Sequence, residues 1–432
     1  MNFAVFIVSS RLFLLAAIIL LLFIYFRIKF FKLKIHFINF KEKNVFRTRR
    51  ELNGIIHFHS TYSDGSGKME TLIETAKKLK ADFLVSSDHN TLKPKSDGLE
   101  GYYGGLLYFA GEEINTEFGH LLAVGIKSGI KRGKYKDVLS DIKKQNGISV
   151  ICHPYNWWTP WKNFGVKGYD GIEIINLDSQ WRGMNPLYIP AVILTYGINP
   201  FYALHFLAHK PKKTIKFWDS AQKHKSMKTG IASIDAHSNV KITKKRRIKF
   251  PKYEELFSVA RTHVFLSDKP SGNLEKDKKS VTEALRDGKC YFSFDLFGMP
   301  EGFYFNALYA GKYYLSGDTV NIAVSGAGKN TDDAGKNIDK KDKNVIIYAG
   351  ININPKKNPF FINLFRNGEK IFHSKNAGLI YEIRAAESKT VSGSKENIAV
   401  PSFYRVEIDL YFGRKKITYL YSNNIEIYAP IN

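Results

Sequence analysis

Between Gly54 and about Phe294, short apolar runs alternate with polar, helix-like stretches, and most of the runs stop at a histidine or a carboxylate. The seven runs are residues 55–56, 83–85, 107–109, 121–126, 148–152, 172–175 and 231–234. Brief apolar segments separated by helix-forming sequence are the pattern of β/α units built on a mostly parallel sheet or barrel. Residues 69–80 are predicted to be one of the intervening helices, because Ile73, Ala76 and Leu79 recur at helical spacing. In a barrel the C-terminal ends of all the strands converge on one face, and active sites are assembled there.

The residues at those ends carry a consistent chemistry. His57 and His59 are two apart after the first run, so on a strand both imidazoles project from one face. Asp64 follows in the turn Ser63-Asp64-Gly65, and Asp88-His89-Asn90 comes after the second run. Glu112 and Glu113 close the third run, His120 opens the fourth and His153 ends the fifth. Asp235 and His237 repeat the spacing of two after the last run. Six of the twelve histidines thus lie at strand ends beside carboxylates, which points to a metal centre, since histidines with purely structural roles would be scattered. The other six, His36, His205, His209, His224, His263 and His373, lack that context. Only two cysteines are present, so the ligands must be imidazole and carboxylate rather than thiolate. Cys152 precedes His153 and is expected to point away from the centre as an inert buried thiol.

The segment His57-Phe58-His59-Ser60-Thr61-Tyr62-Ser63-Asp64-Gly65, followed by Asp88-His89-Asn90, resembles the signature of the PHP (polymerase and histidinol phosphatase) metal-dependent phosphoesterase family. Gly111-Glu112-Glu113-Ile114, Gly119-His120, Cys152-His153-Pro154 and Asp235-Ala236-His237-Ser238 match its remaining motifs in order, over about residues 54–294. The resemblance implies an α/β fold, a distorted (β/α)7 barrel, with two or three divalent metals. It assigns His57, His59, Glu113 and Asp235 to one metal, with Glu113 bridging to a second held by His120 and His153. Asp64, His89 and His237 would hold a third. Adjacent strand residues point to opposite faces, so Glu112 and Glu113 cannot both reach the centre, and the family's Gly-x-Glu spacing selects Glu113. Zinc, manganese and iron all accept such nitrogen and oxygen ligands. Through the metals, His57, His59, Asp64, Glu113 and Asp235 would be the catalytic residues of a hydrolase, because a metal cluster lowers the pKa of water toward ~7 and steadies both attacking and leaving oxygens. No Gly-rich nucleotide loop, nucleophilic serine motif or Cys-His pair suggests another mechanism.

Lys and Arg number 65 against 40 Asp and Glu, a formal charge of +25, which favours an anionic small-molecule substrate and makes phosphate-ester hydrolysis the first expectation. Ester or carbamate hydrolysis on the same cluster is the alternative, and a non-catalytic metal-binding scaffold is another. The polymerase regions that accompany some family members have no room here, which sets nucleic-acid processing aside. Three of the five tryptophans fall in residues 153–161, where they wall a substrate pocket or pack the barrel rim. The run Lys244-Lys245-Arg246-Arg247, with Lys249, is either a solvated loop or a site for phosphate or an anionic lipid surface.

At the N-terminus, residues 3–26 are apolar apart from Ser9, Ser10 and Arg11, and residues 12–26 carry no charge. Spanning a bilayer takes about 20 apolar residues, and no small-x-small cleavage site comes after the run, so the expectation is an uncleaved, single-pass anchor. Arg27, Lys29, Lys32 and Lys34 come next and favour the cytoplasmic side for the domain beyond them. A second apolar stretch, residues 187–207, is interrupted by Pro190, Gly197, Asn199 and Pro200 and is predicted to be a kinked, surface-packed helical hairpin rather than a second span. Beyond Asp295, strand-like runs at 344–348, 360–365, 404–412 and 416–421, with Asn367-Gly368 as a hairpin turn, read as a β-sandwich, and residues 329–343 as a solvated loop. The expected organisation is anchor 1–34, linker 35–53, metal-dependent barrel 54–294 and β-sandwich 295–432.

Overall fold

A computed structural model describes residues 2–38, 50–222, 229–241, 247–322, 344–383, 401–412 and 415–428. Most of the expected linker, Lys244, Lys245, Arg246, His224 and the predicted loop 329–343 lie outside the described residues. The fold is mixed α/β with several sheets and one long apolar helix at the N-terminus. That helix, α1 (Asn2–Lys32), contains a stretch, Arg11–Lys32, long and apolar enough to cross a membrane, and no residue of its most apolar 18-residue window is buried. Its length and composition fit an anchor and a signal sequence alike.

Strand β1 (Arg50–Ile56) leads through helix α2 (Met69–Lys78) to the parallel strand β2 (Phe83–Ser86). The helix buries Met69, Leu72, Ile73 and Ala76 and ends just short of the predicted position, where Lys80 takes a φ of 57° and turns the chain. The short helix α3 (Lys93–Ser96) follows, then β3 (Gly101–Tyr103) and β4 (Leu106–Ala110), with β4 parallel to β2 and β3 on the outer edge. A second sheet runs in the order β5 (Glu112–Thr116), β6 (Gly119–Val124), β7 (Ile148–Ile151), β8 (Gly171–Asn176) and β9 (Thr229–Ser233), with α4 (Tyr135–Lys144) before β7. Its β5–β6 and β6–β7 pairs are antiparallel and only β7–β8 and β8–β9 are parallel, so this part is less regular than strict β/α repetition predicts.

The second sheet meets the first at both of its own edges, beside β5 and after β9. On one side the Gly111 N–H donates to the Ser86 carbonyl at 2.9 Å, and His89 bridges to Glu113. On the other, the Ile234 N–H donates to Ile56 at 3.0 Å and the His59 N–H to Ala236 at 2.9 Å. Between β8 and β9 lie α5 (Leu177–Arg182), α6 (Ile189–Ile198), α7 (Pro200–Leu204) and α8 (Lys212–Gln222). The predicted break in the apolar stretch falls between α6 and α7, where the Asn199 side chain caps α7 by accepting the Tyr202 N–H.

After β9 come the small pair β10 (Val240–Lys241) and β11 (Arg247–Ile248), then α9 (Tyr253–Phe257), β12 (Arg261–Leu266), α10 (Leu274–Arg286) and β13 (Cys290–Ser293). The β-rich C-terminal part comprises β14 (Tyr304–Tyr309), β15 (Lys312–Leu315), β16 (Thr319–Asn321), β17 (Val345–Gly350), β18 (Phe360–Arg366), β19 (Glu369–Ser374), β20 (Gly378–Ile383), β21 (Ser402–Phe412), β22 (Lys415–Ser422) and β23 (Ile425–Tyr428). Strands β15, β14, β17 and β20 form a sheet of their own. The others extend the first sheet, because β22 pairs with β13 and β13 with β12, which lies against β1. Asn367 and Gly368, with φ of 52° and 88°, make the predicted turn between β18 and β19.

Candidate metal centre

The nine residues singled out by the sequence come together where β1, β2, β7 and β9 end and β5 and β6 begin. Strand β1 stops at Ile56, and His57 takes a left-handed φ of 64°, as do His153 at 31° and Asp235 at 50°. Such a conformation costs a non-glycine residue about 1–3 kcal/mol and survives where the surroundings hold it, characteristically at functional sites.

Glu113 is the hub. Its Oε1 lies 2.8 Å from His120 Nδ1 and 2.9 Å from His153 Nε2. Its Oε2 lies 3.0 Å from His89 Nδ1, 3.2 Å from His59 Nε2 and 3.4 Å from His57 Nε2. Asp235 Oδ1 stands 3.4, 3.5 and 3.6 Å from His59, His57 and His237. Asp64 Oδ1 faces His237 at 3.3 Å, His59 at 3.7 Å and His89 at 3.9 Å. Three tight groups of imidazole and carboxylate donors result: His57, His59 and Asp235; His89, Glu113 and His120; and Asp64, His59, His89 and His237. His89 therefore faces both Glu113 and the Asp64 group, and His59 adjoins two groups, where the resemblance implied one each.

This donor set fits divalent cations. Glu113 Oε2 is buried with three imidazole nitrogens around it, yet it satisfies no hydrogen bond, and neither does His89 Nδ1 or His153 Nδ1. An unpaired buried polar atom costs about 1–3 kcal/mol, so the unsatisfied Glu113 Oε2, with imidazole nitrogens of His57, His59 and His89 around it, is placed for a ligand. Imidazole and carboxylate donors are those that zinc, manganese and iron accept.

Charges within the cluster are strongly coupled to this geometry. Burial opposes the His57 imidazolium, but the carboxylates of Glu173, Asp235 and Glu113 outweigh it and raise its pKa well above the usual value. Burial likewise opposes His153 and His237, and Glu113 in the first case and Asp64 with Asp235 in the second lift each to about 9. Burial pushes Glu113 up, and His57, His120 and His153 pull it well below the carboxylate range. Asp64 is held at about 2, His237, His59 and His89 overcoming its burial. The metal-free site thus carries protons that a cation must displace. Because the folded pKa values of His153 and His237 lie above 6.5, their ion-pair stabilisation is complete below that pH and fades as pH rises through about 9. Zinc or manganese is accordingly expected to bind more tightly as pH rises from 6.5 to 9, with proton release visible in titration calorimetry in buffers of different ionisation enthalpy. Heats independent of the buffer would contradict this.

Several functional residues escaped the sequence reading. Glu173 on β8 is buried, pairs with His57 Nδ1, and accepts the His153 N–H at 2.8 Å and Asn176 Nδ2 at 2.9 Å. It fixes the tautomer that turns His57 Nε2 toward the centre. The available signal was a lone carboxylate inside the apolar run Ile172-Glu173-Ile174. Asn176 Nδ2 also donates to Asp235 Oδ2 at 3.1 Å. Asp88 braces the turn after His59 by accepting from Ser60 N and Oγ, both at 2.8 Å, and from Ser63 Oγ at 2.7 Å. Cys152 corrects an expectation: its sulfur lies within 4.8 Å of donor atoms of His57 and Glu113 instead of pointing away. Strand alternation has ended at Ile151, so successive side chains no longer take opposite faces. Burial, then Glu173 and Glu113, push its thiol well up, which keeps it protonated. Glu112 faces the other way, its Oε2 accepting the Ile130 N–H at 2.9 Å, and burial raises it to about 7. Trp161 packs edge-on against Phe118 and Tyr135, whereas Trp157 and Trp158 stand exposed. His263, set apart from the site, is buried between Glu51 and Asp295, 3.2 Å from each.

No family model matches the chain. No curated protein matches it either. Among solved structures it is similar to a two-domain protein from Bacteroides vulgatus containing a predicted PHP-like metal-dependent phosphoesterase. That similarity covers 90% of this chain and 98% of the other at 14% identity, with a TM-score of 0.39. A protein from Bifidobacterium adolescentis named for a metal-dependent phosphoesterase aligns over 46% of this chain and 93% of its own, at 14% identity and a TM-score of 0.28. An amidohydrolase from Chromobacterium violaceum aligns over 43% and 87%, at 12% identity and a TM-score of 0.27.

Proposed function

We propose that the chain is a membrane-anchored, metal-dependent hydrolase that cleaves phosphate esters, with residues 54–294 as a distorted barrel and 295–432 as a β-sandwich. The observation that carries the reading is Glu113, a buried carboxylate shared by five imidazoles with one oxygen left unsatisfied. His57, His59, Glu113 and Asp235 would hold one ion, Glu113 with His120 and His153 a second, and Asp64 with His89 and His237 a third. When bound, such ions supply Lewis acidity and a nucleophilic water at neutral pH. The chain's own groups prepare the site. Glu173 keeps the proton of His57 on Nδ1, Asn176 steadies Asp235, and Asp88 fixes the turn that carries Asp64. His57, His59 and Glu113 form a buried floor, and Asp64, half exposed, marks the side from which substrate enters. The excess of basic residues over the chain favours an anionic substrate.

A hydrolysis screen of the metal-loaded full chain against nucleotides, sugar phosphates, phosphodiesters and carboxyl esters tests this. Turnover is expected with at least one phosphate-ester class and should vanish on chelation. Turnover of carboxyl esters alone would move the assignment to the other hydrolysis, and none at all would leave a metal-binding scaffold.

A further inference from the structure

We propose that the α6–α7 hairpin is a second membrane contact, which seats the mouth of the metal centre on an anionic lipid surface. Residues 183–208 contain no Asp, Glu, Lys or Arg. Helix α6 has ten residues, about 15 Å, half of what crossing the ~30 Å hydrocarbon core needs, so the hairpin cannot span. Helix α7 buries Ala203 and Leu204, but α6 does not turn most of its apolar side chains inward. Only Val192 and Thr195 of α6 are buried, while Leu187, Ile193 and Leu194 are 83%, 62% and 61% exposed. A contiguous apolar patch rimmed by polar groups marks an interaction surface.

The position of α1 identifies the surface that covers the patch. The ring of Phe26 packs on Tyr202 at 5.2 Å and that of Phe30 on Phe201 at 5.9 Å, so α7 lies against the C-terminal end of α1. The apolar length before those residues projects from the body unburied. A helix that enters a bilayer there sets the membrane edge beside Arg27, Lys29 and Lys32, where the hairpin lies. Lys212 comes shortly after the hairpin, and the Lys415 ammonium sits 5.0 Å over the Phe206 ring. An apolar face with a basic rim is the profile of an element held in the interface of an anionic membrane.

The hairpin is also tied to the centre. It leaves from α5, which directly follows β8 and its Glu173 and Asn176. Asp178 on α5 accepts from Asn156 Nδ2 at 2.8 Å and from Arg182 Nε at 2.5 Å, and the Arg182 guanidinium lies 4.5 Å from the Trp158 ring. The loop after His153 is thereby fastened to the base of the hairpin. Trp157 and Trp158, 70% and 68% exposed, are the residue type that settles at head-group level.

The inference rests on the anchor reading of α1 and is independent of the hydrolase reading. Cys152 and Cys290 are buried, so single cysteines introduced by Leu20→Cys, Leu194→Cys, Trp157→Cys and Lys279→Cys take a nitroxide label selectively. The full chain is reconstituted in vesicles of phosphatidylcholine and phosphatidylglycerol, and accessibility to oxygen and to a water-soluble nickel chelate is compared. The labels at Leu194 and Leu20 are expected to be open to oxygen and shielded from nickel, the one at Trp157 intermediate, and the one at Lys279 open to nickel. A nickel-accessible label at Leu194 overturns the proposal, as does one shielded from both reagents, which would mean a protein partner or a second copy. A fully aqueous Trp157 overturns the seating of the mouth. An aqueous Leu20 removes the anchor and the proposal with it. None of these readings depends on turnover, so they leave the hydrolase assignment to its own test.

Discussion

Glu113→Gln is expected to abolish hydrolysis and weaken metal binding by at least ~100-fold, the upper end of what losing even a group that merely supports a ligand costs. Glu112→Gln should leave both close to the parent. Glu113 presents one oxygen to His120 and His153 and the other to His57, His59 and His89, so it serves two groups of donors at once. An amide keeps one acceptor oxygen and turns an NH2 toward the other set, and it removes the charge that balances five imidazoles. Glu112 is held near neutrality by burial and accepts the Ile130 N–H, a bond that a glutamine carbonyl reproduces. Elemental analysis and turnover of the two variants, with a thermal melt to show that both are folded, separate the cases. Equal losses would mean that the hub is misassigned.

The largest effect on stability is expected from Arg405→Met, a loss of ~3–5 kcal/mol. Arg405 on β21 is fully buried, with Nη1 2.5 Å from Glu407 and Nε and Nη2 at 3.2 and 3.1 Å from Asp219 on α8. Its guanidinium also lies 4.4 Å from the Phe365 ring. Burial opposes its charge, and Glu407 and Asp219 more than restore it. Methionine fills much of the volume but leaves Asp219 without that guanidinium and Glu407 with Lys210 in its place. The ion pair joins a helix of the α/β part to a strand of the β-rich part, so denaturant unfolding should show both regions weakened. A change below ~1 kcal/mol, the scale of an exposed pair, would show that solvent reaches the site.

The parts of the fold that could be read from the sequence were those set by local pattern. Helical spacing located α2, Pro200 and Asn199 located the kink between α6 and α7, and Asn367-Gly368 located the turn between β18 and β19. Strand β5 was invisible because Glu112, Glu113 and Asn115 make it polar, and the chemistry it carries is what hid it. Pairing of β13 with β22 joins Tyr291 to Ser422, a contact across 131 residues with no local signature. At the centre, the histidine and aspartate motifs announced themselves by spacing. Glu173, Asn176 and the inward turn of Cys152 depend on how strand ends bend and on which atoms face each other, which spacing does not encode.

The claim on which the rest depends is that these side chains hold metal. Full-length protein extracted from membranes without chelators, and analysed for its metals by mass spectrometry against protein concentration, is expected to carry two or three divalent transition-metal ions per chain. Fewer than one ion per chain, with none taken up when zinc or manganese is added back, would contradict it.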